Sequence, residues 1–266
     1  MLNQLETNRI LWSLAAGLTL VAAVAGVVNP AIYHGLVDEP VLPGILSQDI
    51  ISVVAALVVL MLAARATEAG IVGQIIALGI MGYLFYAYGV YVIERLYNGW
   101  YLVYMAIFAL AFWAMVYGLA SLRRERLGGI LVPRGIRIAS VAYLFFNPLV
   151  FYPLWISQLL PLMRTGEQIR NYYSIYILDL CFIMPAFIMA GAMAARKRGL
   201  GLFVTPALFV WGFTLLFPLA LGEWLKPSVY GLPIDMGGMM LYLILSLVFA
   251  ALTWVYVRTA TFSARK

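Results

Sequence analysis

The chain has 266 residues, of which 65% are hydrophobic and 11% carry a formal charge. Soluble domains are near 45–50% apolar and about 25% charged, so this composition excludes a soluble fold, and the 14% of aromatic residues excludes a disordered chain. The single cysteine, Cys181, excludes an intramolecular disulfide, and the single histidine, His34, excludes bis-histidine haem and a multi-histidine zinc site. We therefore expect an all-α polytopic membrane protein.

Eight segments are long and apolar enough to cross a bilayer. A hydrocarbon core of ~30 Å needs about 20 apolar residues per helix. The breaks between the segments carry proline, glycine, asparagine or clustered charges, which end helices. The predicted transmembrane helices are 10–28, 49–64, 71–93, 100–122, 136–160, 173–195, 201–221 and 236–257.

The basic residues predict how these eight helices are oriented. If the N-terminus is inside, 13 of the 17 Lys and Arg fall on the inner side, and the other four, Arg95, Arg164, Arg170 and Lys226, fall outside. The positive-inside rule then predicts a protein of the cell membrane with both termini cytoplasmic. The net charge of +6 reports this topology, so we expect no binding to nucleic acid.

Three pairs of matching motifs predict an internal duplication. The pairs recur in the same order, with Asp-to-Arg spacings of 16 and 17 and Asp-to-Glu spacings of 45 and 44. They are Asn29-Pro30 with Asn147-Pro148, Asp49 through Ala63-Ala64-Arg65 with Asp179 through Ala194-Ala195-Arg196, and Gly82 through Glu94 with Gly212 through Glu223. We expect a first four-helix repeat at 1–122, a basic cytoplasmic linker at 123–137 and a second repeat at 138–266. Parallel pseudo-twofold symmetry along the membrane normal would relate the two repeats.

Acidic residues gather at the predicted outer side, and two of them lie inside spans. Asp49 and Asp179 are 16–17 residues from their inner-face arginines, or about 24–26 Å along a helix. A charged residue at this depth is a functional-site hypothesis. Two alternatives stay open: Asp49 caps the start of its helix, or Asp179 makes a structural hydrogen bond between helices.

The other polar residues at the predicted outer side can also be explained either by a structural role or by a role in a site. Glu94 and Glu223 end outward-running helices, where pairing with Arg95 and Lys226 competes with a role in a site. Tyr83, Tyr86 and Tyr176 belong either to an aromatic interfacial belt or to a pocket that holds a cation against ring faces. Prolines inside predicted helices, among them Pro185, permit kinks that often border cavities.

Two stretches carry a resemblance to a known group of proteins. They are the Asp179-x5-Pro185 helix with its Arg196-Lys197-Arg198 end, and the Gln48-Asp49 helix that ends at Arg65. In these stretches the chain resembles a family of prokaryotic polytopic membrane proteins with no established function. The resemblance implies a membrane helix bundle and supplies no catalytic residue.

The sequence favours one function and leaves two others open. The favoured function is an outward-facing acidic and aromatic cavity that binds or transports a cation or a small cationic or amphipathic molecule. The candidate ligand-binding residues are Asp49, Asp179, Glu94, Glu223, Asn29, Asn147, Tyr83, Tyr86 and Tyr176. The alternatives are a sensor or assembly subunit without its own site, and an outer-leaflet enzyme acting on lipid with His34 or an acid as general base.

We expect no organic cofactor, because the sequence has no phosphate-binding loop and no cysteine pair. It also has no lysine in the middle of a predicted helix, which a retinal Schiff base would need. Oxygen ligands would favour a hard cation such as Ca²⁺ or Mg²⁺ if a metal binds. The lipid bilayer is the expected partner. A membrane-protein partner or a homo-oligomer stays open.

Overall fold

A computed structural model describes residues 1–67, 70–169 and 172–262. The sequence predicts a break at Thr67-Glu68-Ala69-Gly70, of which Glu68 and Ala69 lie outside the described residues, as do Arg170, Arg265 and Lys266 of the orientation count. The structure is 83% helical, and within the described residues eight helices are long and apolar enough to span a membrane. The prediction of a multi-pass helical membrane protein is therefore confirmed.

The eight long helices follow the predicted segments closely. They are α1 (Leu5–Val28), α2 (Leu42–Arg65), α3 (Ile71–Ile93), α4 (Tyr101–Ala120), α5 (Arg134–Thr165), α6 (Tyr173–Ala195), α7 (Gly199–Leu225) and α8 (Met236–Thr259). Within α6, residues Asp179–Ile183 form a π-helical turn, and Lys226–Tyr230 extend α7 with a second π-helical turn. Two short strands, β1 (Ile130–Leu131) and β2 (Thr261–Phe262), pair antiparallel.

Helix α2 begins earlier than its predicted segment. It starts at Leu42, because Pro43 occupies its first turn, where proline needs no hydrogen-bond partner for its nitrogen. Asp49 is therefore two turns inside the helix and cannot cap it. The alternative that Asp49 is an N-cap is wrong, whereas Asp235 does cap α8 by accepting a hydrogen bond from the backbone nitrogen of Gly238.

Helices α3 and α7 form the centre of the bundle. Around them, α1 packs on α2 and α4, α3 packs on α4, α5 packs on α6, and α7 packs on α8. Gly79 and Gly82 permit the close approach of α3 to α7, since a Cβ at Gly79 would lie 2.5 Å from the carbonyl oxygen of Ala207. At Gly82 a Cβ would meet the Trp211 ring at 2.5 Å.

Each group of four helices is closed by its flanking segments. Before α1, Leu2 forms a β-bridge with Leu122, which follows α4. Before α5, β1 pairs with β2, which follows α8. Both ends of the described chain and the α4–α5 linker thus lie at one end of the bundle. We call it the basic end, since Arg65, Arg137 and Arg196 lie there, and we call the opposite end, with Glu94 and Glu223, the acidic end.

An arginine caps a neighbouring helix in each half at the basic end. Arg9 on α1 donates from Nε to the carbonyl oxygen of Ala63, 2.6 Å away, and Arg137 on α5 donates to the carbonyl oxygen of Ala195 at 3.1 Å. These carbonyls end α2 and α6 and have no partner within their own helices. The matched caps agree with the predicted duplication, which stays a prediction.

The structure corrects one predicted pair of residues. Asn29 follows the last residue of α1, whereas Asn147 lies in the middle of α5, so the two asparagines do not occupy equivalent places. Thr19 on α1 matches Asn147 on α5 in its place within the helix. Each lies ten residues after its capping arginine and donates a side-chain hydrogen bond to the carbonyl oxygen four residues earlier.

Candidate functional site

A cavity of about 560 Å³ lies between the helices α5 to α8 and the helices α2 and α3. Loop residues before α2 and after α3, among them Pro40 and Leu96, complete its wall. Seven of the nine predicted site residues line it: Asp179, Glu94, Glu223, Asn147, Tyr83, Tyr86 and Tyr176. Asp49 and Asn29 are not among the residues that line it.

The cavity is long, and its character changes with depth. At 1.5 Å per residue, Phe187 on α6 lies about 12 Å from the basic end and Asp179 about 24 Å, while Glu94 ends α3 about 35 Å from its start. Phe187, Phe249 and Met184 make an apolar floor near the middle of the bundle. Glu94, Glu223 and Lys226 lie at the acidic end, which we call the mouth.

Asp179 occupies the most distinctive position in the cavity. It begins the π-helical turn of α6, and Pro185, which has no backbone N–H to donate, lies two residues after the end of that turn. Its side chain is 7% exposed, and its Oδ2 accepts a hydrogen bond from Trp155 Nε1 on α5 at 2.8 Å. The Tyr86 hydroxyl on α3 interacts with the same carboxylate. Asp179 therefore joins three helices and also lines the cavity.

Aromatic rings flank Asp179 on the α5 and α6 sides. Tyr176, one turn earlier on α6, packs edge-on against Trp155 with ring centroids 5.6 Å apart. The Tyr176 hydroxyl donates to Gln158 Oε1 at 2.9 Å, which fixes the ring beside the carboxylate. Tyr83, on α3, is buried, and its hydroxyl lies 2.9 Å from Ser52 Oγ. A carboxylate edged by aromatic rings suits a cation.

The two glutamates at the mouth bind the starts of other helices. Glu94 Oε1 accepts hydrogen bonds from the backbone nitrogen of Ser174 at 2.7 Å and from its hydroxyl at 2.6 Å. Glu223 binds Lys226, as predicted, and accepts from the backbone nitrogen of Asp235 at 3.0 Å. Each carboxylate ends one helix and satisfies a backbone donor near the first turn of another, where negative charge is favoured.

Asp49, on α2, is buried and is not among the residues that line the cavity. It is 1% exposed, and its two oxygens accept hydrogen bonds from Tyr33 at 2.7 Å and Tyr91 at 2.9 Å. Gly26 on α1 packs directly on this carboxylate, so any larger residue there would overlap it. Burial, with the nearby Asp49 charge, raises the pKa of Tyr33 well above its ordinary value of 10.0, so its hydroxyl remains a donor.

Further tyrosines fill the space around Asp49. Tyr88 and Tyr104 pack on the Tyr91 ring at centroid distances of 5.5 and 5.1 Å. The Tyr104 hydroxyl also donates to that of Tyr33 at 3.4 Å. Phenol rings therefore surround Asp49, and one of them, Tyr91, separates this carboxylate from the cavity that it also lines.

Two other predicted residues lie away from the cavity. Asn29 is exposed at the end of α1. His34 is exposed in the loop before α2 and does not line the cavity. The enzyme alternative requires His34 to lie close to Asp49, Glu94 or Glu223, and no such contact is present among the described residues.

Sequence reasoning missed the α5 wall of the cavity. Phe151, Trp155 and Gln158 line it together with Asn147. Their spacing of four, eight and eleven residues after Asn147 is that of one helical face, so the sequence held the signal that could have found them. Trp155 is the one that matters most, since it donates to Asp179.

The described residues contain no group of three or more His, Cys, Asp or Glu placed to hold a metal ion. The comparisons with known proteins add no assignment: no family model, no curated protein and no solved structure matches the chain. The function is therefore argued from the geometry of the site.

Proposed function

We propose that this multi-pass membrane protein binds an organic cation in the cavity and carries it across the membrane, with Asp179 as the counter-ion. The observation that carries the proposal is the Asp179 carboxylate, which lines an otherwise mainly apolar and aromatic cavity. Among the described residues that line this cavity, the one basic side chain is Lys226, which pairs with Glu223 at the mouth.

The energetics of burial support a cation as the ligand. A carboxylate taken out of water is costly unless a positive charge or several donors compensate it. Trp155 and Tyr86 supply donors, and a bound cation would supply the missing charge. The faces of Tyr176 and Trp155 would add cation–π attraction of about 0.5–2 kcal/mol for a cation near the rings.

An organic cation suits the cavity better than a bare metal ion. A hard metal ion takes six or more oxygen ligands. The described residues lack a suitable cluster of acids, and the mid-depth wall offers one carboxylate among rings. An alkylated ammonium ion instead needs one counter-charge and apolar contact, which this wall supplies.

The proposal also includes the side of the membrane to which the mouth of the cavity opens. The basic residues Arg65, Arg137 and Arg196 gather at the end away from the mouth. The positive-inside rule favours that end as the cytoplasmic one, with both termini, in the cell membrane. The mouth would then open outward.

The test compares two buried aspartates. We would purify the wild type, Asp179→Asn and Asp49→Asn, and titrate each with tetramethylammonium while following thermal unfolding. Asp49→Asn is the matched control, because Asp49 is also a buried aspartate within a long helix and is not among the residues that line the cavity. We expect the ligand-induced shift in unfolding temperature to persist in Asp49→Asn, even if its ligand-free stability falls, and binding to Asp179→Asn to weaken at least about tenfold.

Transport is tested separately in proteoliposomes. Wild-type vesicles preloaded with unlabelled tetramethylammonium should accumulate the labelled ion, and Asp179→Asn vesicles should not. Equal binding by the wild type and Asp179→Asn would contradict the proposed site. Binding that depends on Asp179 without accumulation in vesicles would contradict transport and leave binding in place.

A further inference from the structure

From Asp179 the cavity continues towards the basic end into an apolar chamber. The proposed binding of a cation at Asp179 does not explain this chamber. Phe187, Met184 and Phe249 bound it, and the Phe249 ring packs on Gly212 of α7 at a place where a Cβ would lie 2.6 Å away. Tyr143 on α5 packs on Phe249 beside the chamber, with ring centroids 4.8 Å apart. This chamber lies at mid-membrane depth and is distinct from the polar mouth.

The wall between α5 and α8 opens towards the bilayer at the level of Asp179. The two helices meet near Tyr143, whose hydroxyl donates to the carbonyl oxygen of Leu245 at 3.4 Å. Nearer the acidic end, Leu154 on α5 and Leu241 on α8 line the cavity and are 40% and 55% exposed. An apolar side chain that is exposed at this depth faces lipid, so the cavity has a lateral opening there.

From this shape we infer that the occupant is a single-tailed amphiphile with an alkylated ammonium head, which enters from the bilayer between α5 and α8. Its head would lie against Asp179, and its tail would extend past Leu245 into the chamber. The inference rests on the proposed function and adds the class of ligand and its route.

Charge and apolarity together select this occupant. Asp179 and Glu94 favour a positive head, and they disfavour an anionic lipid. Among the described residues that line the chamber, none carries a charge, so a second charged group on the ligand would find no partner there. A volume of about 560 Å³ spread over this depth is narrow, which suits one chain better than two.

The experiment compares probes with short and long tails. Ethyltrimethylammonium and decyltrimethylammonium would be titrated in dodecyl maltoside micelles, whose headgroup is uncharged, and free concentrations would be corrected for uptake by protein-free micelles. Burial of a methylene improves affinity by roughly fourfold. We expect the Kd of the decyl probe to be at least about tenfold lower than that of the ethyl probe.

Two tryptophan substitutions test the route. Leu245→Trp would block the passage from the lateral opening to the chamber, because Leu245 lines the cavity where α8 meets Tyr143 of α5. Ile244→Trp is the matched control, because its neighbour Ile244 is 54% exposed and does not line the cavity. We expect Leu245→Trp to abolish the advantage of the decyl probe without changing the Kd of the ethyl probe, and Ile244→Trp to retain both values. Thermal unfolding without ligand checks that both variants fold.

The outcomes separate this inference from the proposed function. If the ethyl probe binds through Asp179 and the decyl probe binds no more tightly, the amphiphile inference is overturned and the proposed function stands. If Leu245→Trp and Ile244→Trp affect the decyl probe equally, the lateral route is overturned. If neither probe binds to the wild type, the proposed function itself fails.

Discussion

Asp49 and Asp179 show how two aspartates at similar depth come to differ. Asp49 receives phenol donors from Tyr33 and Tyr91 and is packed against Gly26, so its carboxylate is enclosed by protein. Asp179 receives an indole donor from Trp155 and faces a cavity. The neighbouring helix α1 thus presents a glycine, Gly26, to the enclosed Asp49. Helix α5 presents a tryptophan, Trp155, to Asp179, which faces the cavity.

At Asp49 we predict a role in stability. Tyr33→Phe removes the hydroxyl that donates to Asp49 and leaves a buried carboxylate oxygen with one donor fewer, so the free energy of unfolding should fall by about 1–3 kcal/mol. Thermal unfolding in detergent would measure the loss. Tyr173→Phe, at an exposed tyrosine, is the control and should change little. An unfolding temperature that is equal in the two variants would contradict the role given to Tyr33.

The residue types at the site were largely predictable from the sequence, because acids are rare in an apolar chain and each one inside a span is conspicuous. Trp155 was not predicted, since tryptophan is common at membrane interfaces and its indole N–H could have had any acceptor. The separation of Asp49 from the cavity also could not be predicted. It depends on Tyr33, which precedes α2, and Tyr91, which is on α3, meeting at one carboxylate.

At the scale of elements, the π-helical turn of α6 positions the proposed counter-ion. Residues Asp179–Ile183 form a wider turn that ends two residues before Pro185, and such turns often occur at functional sites. The sequence indicated that proline would disturb this helix. It did not indicate a π-helical turn, which depends on how α6 packs against α5 and α3.

We predict that this turn is needed for ligand binding. Pro185→Ala restores a backbone donor, so the segment can rewind as an α-helix and rotate Asp179 relative to Trp155. Binding of tetramethylammonium should weaken at least about tenfold although the carboxylate is retained. Calorimetric titration would measure it.

Pro161→Ala is the control for this prediction. Pro161 is exposed near the end of α5 and does not line the cavity. Its replacement should leave the Kd unchanged. If Pro185→Ala binds as tightly as Pro161→Ala, the turn does not position Asp179.

At the scale of the whole molecule, two halves with similar closures have different interiors. In each half, a segment before the first helix pairs with a segment after the last, and an arginine on the first helix caps the second. These features support the predicted tandem duplication. Helix α1 packs on α4 in the first half, whereas α5 and α8 diverge above Tyr143, and the space between them belongs to the cavity.

The orientation of the whole molecule gives a further prediction. In a Cys181→Ala background, Glu167→Cys at the acidic end and Glu125→Cys at the basic end would each place one thiol at an exposed glutamate position. A membrane-impermeant maleimide added to intact cells should label Glu167→Cys, and it should label Glu125→Cys only after the cells are lysed, because the proposed orientation places the basic end in the cytoplasm. Labelling of Glu125→Cys in intact cells would reverse the orientation and place the mouth inside.

The sequence by itself determined that the chain is a bundle of eight membrane helices, because length and apolarity decide which segments can lie in hydrocarbon. It also determined which few acids lie inside those helices. The tertiary structure alone decided that Asp179 faces a cavity while Asp49 is enclosed by phenols. That difference arises from residues distant in the chain, such as Tyr91 against Asp49 and Trp155 against Asp179, whose contacts depend on how the helices pack.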